Sequence, residues 1–236
     1  MRNERDYVLK LGGHIFIDEE RRLRIDLVGK YVDIVADLWN RGIKAHLVVG
    51  GGPLARMYIE ALKLLGTSKT YQDILGIEAS KLNAKMFAYA LRERGVNTTI
   101  INNMDLAKRS KDELYVIGGL SPAQSTTAVA ALLAEALKVE KLIIATDVEG
   151  IFTGDPKKDP NAKLLRKVSL KDVERVLRWN HDPGGYKLLD IVALQVIGRS
   201  KIITQIVNGL DPLNVKRAIN NEEVGSLIIP ETEHHE

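Results

Sequence analysis

Residues 118–137 read GGLSPAQSTTAVAALLAEAL, and this stretch carries the clearest structural signal in the chain. A glycine pair, a proline and four hydroxyl residues lead directly into an alanine- and leucine-rich run that favours a helix. At such a helix start, backbone N–H groups and short side-chain donors point toward the preceding loop. The stretch therefore predicts a loop that binds an anionic or polar ligand, followed by a helix from Thr126 to Leu137.

A second glycine-rich loop, Gly50-Gly51-Gly52-Pro53, follows an apolar run from Lys44 to Val49. The simplest reading is a tight turn from strand to helix. A phosphate at this helix start could, however, accept backbone N–H bonds and pair with Arg56. The spacing is neither that of a dinucleotide fingerprint nor that of a Walker A loop, which disfavours classical dehydrogenases and P-loop enzymes.

The first apolar run, from Tyr7 to Leu11, contains Lys10 and is followed by Gly12-Gly13. A lysine near a strand end is often only a solvated charge. If the glycines let a phosphate chain lie against the backbone, the Lys10 ammonium can stabilise the charge on a transferred phosphoryl group. A third loop, rich in Gly and Asp, runs from Thr146 to Asp155 after another apolar run.

Short Val-, Ile- and Leu-rich runs alternate with longer helical patterns along the chain, which indicates a parallel sheet covered by helices on both faces. We predict an α/β fold, a three-layer α/β/α sandwich with a central, mostly parallel sheet. The predicted strands are residues 7–11, 44–49, 98–101, 114–117, 142–145, 202–207 and 226–229. The predicted helices are residues 25–40, 53–65, 72–94, 126–137, 170–179, 188–199 and 212–219.

Composition excludes several classes of protein. The chain has 236 residues, no cysteine and a formal net charge of +3, so disulfides and thiolate chemistry are excluded and a nucleic-acid partner has little support. No segment reaches the roughly 20 apolar residues that span a bilayer. We expect a soluble, cytoplasmic protein without a membrane partner. His234 and His235 lie in a charged tail, and no metal site is predicted.

The segment from Asp73 to Asn83 has polar or small residues spaced by three or four, namely Asp73, Gly76, Ser80 and Asn83. Residues at this spacing share one face of a helix. The face could be solvated, but Ser, Asn and Gly are poor helix formers for an exposed surface. We therefore expect the stripe to approach a ligand or a neighbouring element closely, with Asp73 free to bind ribose hydroxyls.

Taken in order, these motifs resemble the amino acid kinase superfamily, and within it the UMP kinases of the archaeal type. The resemblance covers nearly the whole chain. It rests on residues 10–13, on 50–52 with Arg56, on Asp73 with Gly76 and Asn83, on 119–126, on 145–152 with Asp155 and Pro156, and on 188–190. Isopentenyl phosphate kinases of the same fold carry a histidine soon after the triple glycine, where this chain has Arg56 and no histidine.

The resemblance implies a phosphotransferase that moves the ATP γ-phosphate to UMP, with Lys10 and Asp147 as catalytic residues. The residues implied to bind UMP are Gly51, Gly52, Arg56, Asp73, Gly119, Ser121, Gln124, Ser125 and Thr126. Those implied to bind ATP are Lys10, Gly12, Gly13, Thr146, Asp147, Gly150, Phe152 and Asp155. The loop from Gly119 to Thr126, called the acceptor loop below, offers polar groups and no apolar slot. We therefore expect UMP to be preferred over an isoprenoid acceptor.

The resemblance further implies an acceptor lobe over residues 1–137 and an ATP lobe over 138–236, joined in one compact unit. It implies a homo-oligomer, a hexamer, and Mg²⁺ carried by the nucleotide. Lys187 is either a second cation near the transferred group or a surface lysine. Two alternatives stay open: a kinase of this fold for isopentenyl phosphate or a carboxylate, and a non-catalytic subunit that binds nucleotides or oxyanions.

Overall fold

The computed structural model describes residues 3–107, 112–154, 159–179 and 189–230. The strands are β1 (Asn3–Leu11), β2 (Lys44–Val49), β3 (Thr98–Ile100), β4 (Leu114–Ile117), β5 (Val139–Thr146), β6 (Lys167–Ser169), β7 (Ile203–Asn208) and β8 (Ser226–Ile229). The helices are α1 (Gly13–Phe16), α2 (Ile25–Asn40), α3 (Gly52–Leu64), α4 (Lys69–Arg92), α5 (Thr126–Leu137), α6 (Leu170–Trp179), α7 (Ile191–Ser200) and α8 (Leu213–Ile219). Met104–Leu106 form one turn of 3₁₀ helix.

The strands form one sheet in the order β3-β4-β2-β1-β5-β7-β8-β6. Strands β1 to β5 and β7 are parallel, β8 is antiparallel to β7, and β6 is parallel to β8. The central strand β1 pairs with β2 on one side and with β5 on the other. Its carboxyl end therefore lies between the carboxyl ends of both neighbours, which is where an open parallel sheet forms its ligand site.

Both faces of the sheet are covered, which explains why its strands are apolar at successive positions. Leu9 and Ile143 belong to a core cluster with residues of α2, α4 and α8. Val8 and Ile144 belong to a second cluster with residues of α5, α6 and α7. The architecture is the predicted three-layer α/β/α sandwich.

Local capping sets several helix boundaries. Ser125 accepts hydrogen bonds from the N–H groups of Thr127 and Ala128, which starts α5. Ser169 and Asp172 form a capping pair at the start of α6, with the Asp172 N–H donating to Ser169 Oγ at 3.1 Å. Pro212, predicted as a first helical residue, is the N-cap of α8.

Three short elements were not predicted: α1, β6 and the 3₁₀ turn. Each has only three or four residues, too few to show a helical or strand period. The predicted start of α4 at Gln72 is corrected to Lys69. The predicted start of α7 at Leu188 lies outside the described residues, and the described helix begins at Ile191.

Within the described ranges, no helix combines the length and apolar character that crossing a membrane requires.

Candidate active site

Two glycine-rich loops meet at the carboxyl ends of β1 and β2. A Cβ atom on Gly13 would lie 2.2 Å from the backbone nitrogen of Gly52. Gly52 also has a φ of +56°, which side chains disfavour. The Gly50 N–H donates to Leu11 O at 2.9 Å, and the Gly12 N–H donates to Ala145 O at 3.0 Å. The two loops are therefore in backbone contact, held by the strands on either side.

A cavity of about 330 Å³ opens beside this contact, between α3, α4 and the loop before α5. Seven of the nine residues predicted to bind the acceptor line it: Gly51, Asp73, Gly119, Ser121, Gln124, Ser125 and Thr126. Gly52 and Arg56 do not line it. Gly52 is held in the contact with Gly13, and the exposed Arg56 lies one turn along α3.

The cavity also has an apolar wall, which the sequence analysis did not expect. Ala55, Ile59 and Ile77 line it. The expectation that the site has no apolar slot is therefore wrong. It considered the polar loop from Gly119 to Thr126, whereas the apolar wall comes from α3 and α4.

The polar stripe on α4 holds two loops in place, the one at Gly50-Gly51 and the one that begins at Gly119. Ser80 Oγ accepts a hydrogen bond from the Gly119 N–H at 2.6 Å and donates to Ile77 O. The Asn83 amide donates to Gly50 O at 3.0 Å and to Gly51 O at 3.3 Å. Both side chains are buried. The residue spacing predicted a close approach here, but Ser80 and Asn83 were not among the predicted site residues.

Asp73 closes the cavity from the α4 side. Its Oδ2 accepts a hydrogen bond from the Ala123 N–H at 2.9 Å. Ala123 has a φ of +61°, a conformation that costs free energy unless its surroundings hold it. Asp73 therefore shapes the acceptor loop as well as facing the cavity, and a carboxylate has a second oxygen for further hydrogen bonds.

Gln124 presents an unsatisfied group in the same loop. Its Oε1 is buried and has no hydrogen-bond partner. An unpartnered buried acceptor costs about 1–3 kcal/mol, so a donor supplied by a ligand would be favourable here. Gln124 is also among the residues that line the cavity.

Lys10 lies at the end of β1 beside Gly12, and a Cβ atom on Gly12 would be 3.6 Å from the lysine Nζ. Burial lowers the pKa of Lys10 to about 8, and the negative charge of Asp147 opposes this shift. Asp147 Oδ1 also accepts a hydrogen bond from Thr146 Oγ1 at 3.2 Å. The predicted catalytic pair is thus close enough in space for one charge to affect the other.

His14, which was not among the predicted site residues, lies near the charges of Lys10, Arg56 and Asp147. Burial lowers its pKa, the charges of Arg56 and Lys10 lower it further, and those of Asp147 and Glu19 raise it. Its Nδ1 lies 3.6 Å from the Glu19 carboxylate. Its position in the sequence, directly after Gly12-Gly13, was the one indication that His14 would lie near the site.

The third loop follows β5 and is attached to β8. The Ile151 N–H donates to Ser226 Oγ at 2.8 Å. Gly150 packs against Ser226 closely enough that an added Cβ would lie 2.4 Å from its Oγ. Phe152 forms an isolated bridge with Leu164. Asp155, Lys187, His234 and His235 lie outside the described residues.

In the described part of the chain, no group of three His, Asp or Glu side chains is arranged to hold a metal ion. None of these described residues therefore form a cluster that could coordinate Mg²⁺ through side-chain oxygens alone.

Comparison with known proteins identifies the family. Residues 7–208 match the model of the amino acid kinase family. A uridylate kinase from Hyperthermus butylicus is 44% identical, covering 94% of this chain and 96% of that protein. A uridylate kinase from Pyrobaculum arsenaticum is 38% identical, covering 94% of this chain and 98% of that protein.

A solved structure agrees with these sequence matches. The crystal structure of uridylate kinase from Archaeoglobus fulgidus has a TM-score of 0.78 and 32% identity, covering 94% of this chain and 99% of that one. The resemblance inferred from the motifs is confirmed. The family model matches most of this chain, and the relatives are similar to it over 94% of its length. The chain therefore belongs to the amino acid kinase family.

Proposed function

We propose that the protein transfers the γ-phosphate of ATP to UMP, giving ADP and UDP. The observation that carries this proposal is the cavity of about 330 Å³ bounded by the acceptor loop and α4, which Gly51 lines next to the Gly13–Gly52 contact. Its location supports a small acceptor close to a phosphate site. The similarity to relatives named uridylate kinase across 94% of the chain supports UMP as that acceptor.

We assign residues 1–137 to an acceptor half and residues 138–236 to a donor half. The cavity residues all belong to the first half, and the loop from Thr146 onward belongs to the second. Strands β1 and β5 pair directly, so the two halves share one sheet. This arrangement supports a reaction at the boundary between them.

In the acceptor half, Gly51, Gly52 and Arg56 would bind the UMP phosphate through backbone N–H groups and the guanidinium. Asp73 would accept from a ribose hydroxyl with the oxygen that Ala123 does not use. Gly119, Ser121, Gln124, Ser125 and Thr126 would surround the base and the phosphate. The apolar wall of α3 and α4 would pack against the flat face of uracil, which supports a nucleobase in the cavity.

At the boundary between the two halves, the ATP phosphates would lie along the contact between the glycine loops, facing the loop from Thr146 onward. We assign the donor site to Lys10, Gly12, Gly13, Thr146, Asp147, Gly150, Phe152 and Asp155. Mg²⁺ bound to the ATP phosphates would neutralise part of their charge, and we assign it no protein ligand.

The chemistry needs little from the protein beyond alignment and charge. The attacking oxygen of a nucleoside monophosphate is already anionic at neutral pH, so no general base is required. Lys10 would stabilise the negative charge on the transferred phosphoryl group. Asp147 favours the charged form of Lys10, so it would act through that lysine.

Two other functions would use the same fold. An isopentenyl chain would use the apolar wall of the cavity but not the polar loop or Asp73, and a small carboxylate would use the polar groups but not the apolar wall. A nucleotide uses both, which favours it as the acceptor. A non-catalytic binding subunit would have no need for a lysine at the transfer point. The similarity to uridylate kinases does not favour either alternative.

A coupled assay of ADP release tests the acceptor. It compares UMP, CMP, AMP, acetylglutamate and isopentenyl phosphate at equal concentrations. We expect UMP to have the highest kcat/KM, because a site that hydrogen-bonds one base edge penalises analogues that leave its polar groups unpaired. Equal efficiency with isopentenyl phosphate or acetylglutamate would contradict the proposal.

We also propose a cytoplasmic homo-oligomer, with the hexamer of the family resemblance as its expected size. Leu64, Leu65 and Tyr71, on or between α3 and α4, are 90%, 76% and 63% exposed. Large apolar side chains with this exposure support a surface for self-association. Light scattering after size-exclusion chromatography measures the mass directly, and a monomer would contradict this assignment.

A further inference from the structure

Helices α5 and α7 begin side by side, and their N-cap side chains are bonded to each other. Ser125 Oγ accepts hydrogen bonds from Thr127 N–H at 3.1 Å and Ala128 N–H at 3.0 Å. Asp190 Oδ1 accepts from Ala193 N–H at 2.9 Å. The Ser125 hydroxyl donates its hydrogen to Asp190 Oδ2. One side chain of the acceptor loop is thus joined to the N-cap residue of a donor-half helix.

The hydrogen-bonding capacity of Ser125 is fully used by these contacts. A serine hydroxyl has one hydrogen to donate and two lone pairs to accept with. Both lone pairs of Ser125 take N–H groups of α5, and its hydrogen goes to Asp190. In this arrangement, Ser125 has no hydrogen left for a substrate phosphate. By contrast, Gln124 Oε1 is buried and accepts no hydrogen bond, so it can accept one from a ligand.

The same two helices are also joined near their other ends. Arg199 donates to Glu135 through two hydrogen bonds of 2.9 and 2.6 Å, and Ser200 donates to the same carboxylate. Alanine side chains such as Ala131 and Ala193 are buried between the ends. Two sets of side-chain hydrogen bonds therefore join α5 and α7. Of these two, the Ser125–Asp190 bond involves the acceptor loop, and the Arg199–Glu135 set does not.

We propose that Asp190 is a positioning residue for the acceptor site. Its carboxylate accepts the only hydroxyl hydrogen of Ser125 and so holds the loop of residues 118–126 in the shape that receives the acceptor phosphate. Ser125, grouped above with the residues around the acceptor, then supports the loop and does not itself contact the substrate. The carboxylate suits this role because it lies at the start of two helices, where the backbone dipoles favour negative charge. The proposal rests on the function proposed above.

An amide at position 190 cannot serve both helices in the same way. In Asp190→Asn, the single oxygen can cap α7, which leaves the NH₂ group facing Ser125. If the oxygen turns to Ser125 instead, the cap of α7 is lost. The loop loses a charge-assisted hydrogen bond in either case.

Steady-state kinetics of Asp190→Asn, Ser125→Ala and the double variant test the proposal. We expect each single variant to raise KM for UMP about tenfold, the size of one charge-assisted hydrogen bond. KM for ATP and kcat should change less than about twofold. The double variant should be no worse than either single variant, because both changes break the same bond. A raised KM in Ser125→Ala alone, with Asp190→Asn normal, would make Ser125 a substrate contact and overturn the proposal.

Arg199→Ala is the matched control, because it removes the Arg199–Glu135 hydrogen bonds that join the same two helices near their other ends. We expect it to lower the melting temperature but leave KM for UMP unchanged. An equal rise in KM with Arg199→Ala would assign the effect to the stability of the helix pair as a whole. That result would overturn a specific role for Asp190.

Hydrogen exchange in the ligand-free protein separates this proposal from the proposed reaction. Exchange in residues 118–128 should be faster in Asp190→Asn than in wild type and unchanged in Arg199→Ala. This readout needs no substrate. If wild type does not phosphorylate UMP, the reaction is wrong and the exchange result still decides the role of Asp190. Unchanged exchange in Asp190→Asn would overturn it.

Discussion

Gly13 and Gly52 are in direct backbone contact where the loops after β1 and β2 meet. A Cβ atom on Gly13 would lie 2.2 Å from Gly52 N, and one on Gly52 would lie 2.5 Å from Gly13 C. Neither position can hold a larger residue without backbone movement. The contact fixes the loop beside Lys10 against the loop that leads to Arg56, and it would therefore set the separation of the proposed donor and acceptor sites.

Gly13→Ala should therefore impair both folding and turnover. We expect a loss of about 1–3 kcal/mol in the free energy of unfolding, as for other overpacked sites, together with a large fall in kcat. Gly29→Ala is the control, because nothing lies within 4 Å of a Cβ on Gly29 in α2. It should be neutral or more stable by about 0.5–1 kcal/mol. Urea denaturation and kinetics of both variants check this, and a fully stable, active Gly13→Ala would contradict the contact.

The pKa of Lys10 predicts the alkaline limit of activity. Because burial lowers this pKa to about 8, the charged fraction of Lys10 in the free enzyme falls as the pH rises through that value. We expect kcat/KM to fall with it, since kcat/KM reports ionisations of the free enzyme. Lys10→Ala should lose about 10²- to 10³-fold in kcat while binding UMP nearly normally. It should also lack the alkaline fall near pH 8.

Lys10→Arg provides the control for this pH profile, because a guanidinium stays charged well above pH 8. Its kcat/KM should be lower than that of wild type but should not fall near pH 8. An unchanged alkaline fall in Lys10→Arg would assign the titration to another group.

Arg56→Ala should weaken the binding of UMP but not that of ATP. A hydrogen bond to a charged group contributes about 1.5–3 kcal/mol, which corresponds to a roughly 10- to 150-fold rise in the Kd for UMP. Lys63→Ala removes one positive charge from the same helix, two turns beyond Arg56, at a residue that does not line the cavity. It should leave both affinities unchanged. Titration calorimetry measures all four values. Loss of ATP binding with UMP binding intact would invert the assignment of the two sites.

Buried His46 predicts how the protein responds to acid. Its Nδ1 accepts a hydrogen bond from the Tyr115 N–H at 3.0 Å. Burial lowers the pKa of His46 to about 3, and the charge of Lys44 contributes to this shift. Below pH 6.5 the unfolded chain therefore binds a proton that the folded protein does not, so stability falls as the pH falls toward 3.

His46→Asn should reduce this acid sensitivity, because an asparagine oxygen can accept from the Tyr115 N–H without titrating. The free energy of unfolding of wild type, relative to the variant, should fall by about 1 kcal/mol per pH unit between roughly pH 6 and pH 4. Urea denaturation at several pH values measures this difference. A difference that stays constant with pH would show that His46 is protonated in the folded protein.

Much of the fold could be predicted from sequence because long apolar and helical periods report burial directly. Strands such as β2 and helices such as α2 and α5 match their predicted bounds. The short α1 and β6 could not be predicted, since three or four residues show no period. In the site, Lys10 and the glycine loops follow from local motifs, whereas the link between Ser125 and Asp190 joins residues 65 positions apart. Such a contact depends on how α5 and α7 pack, which the sequence pattern does not reveal.

The most direct test of the proposed reaction follows the phosphate itself. The protein is incubated with UMP and with ATP labelled on its γ-phosphorus, and the products are separated by chromatography. We predict label in the β-phosphate of UDP, in an amount equal to the ADP formed, and loss of this product in Lys10→Ala. Label that appears only as free phosphate, or no transfer to UMP at saturating ATP, would contradict the account.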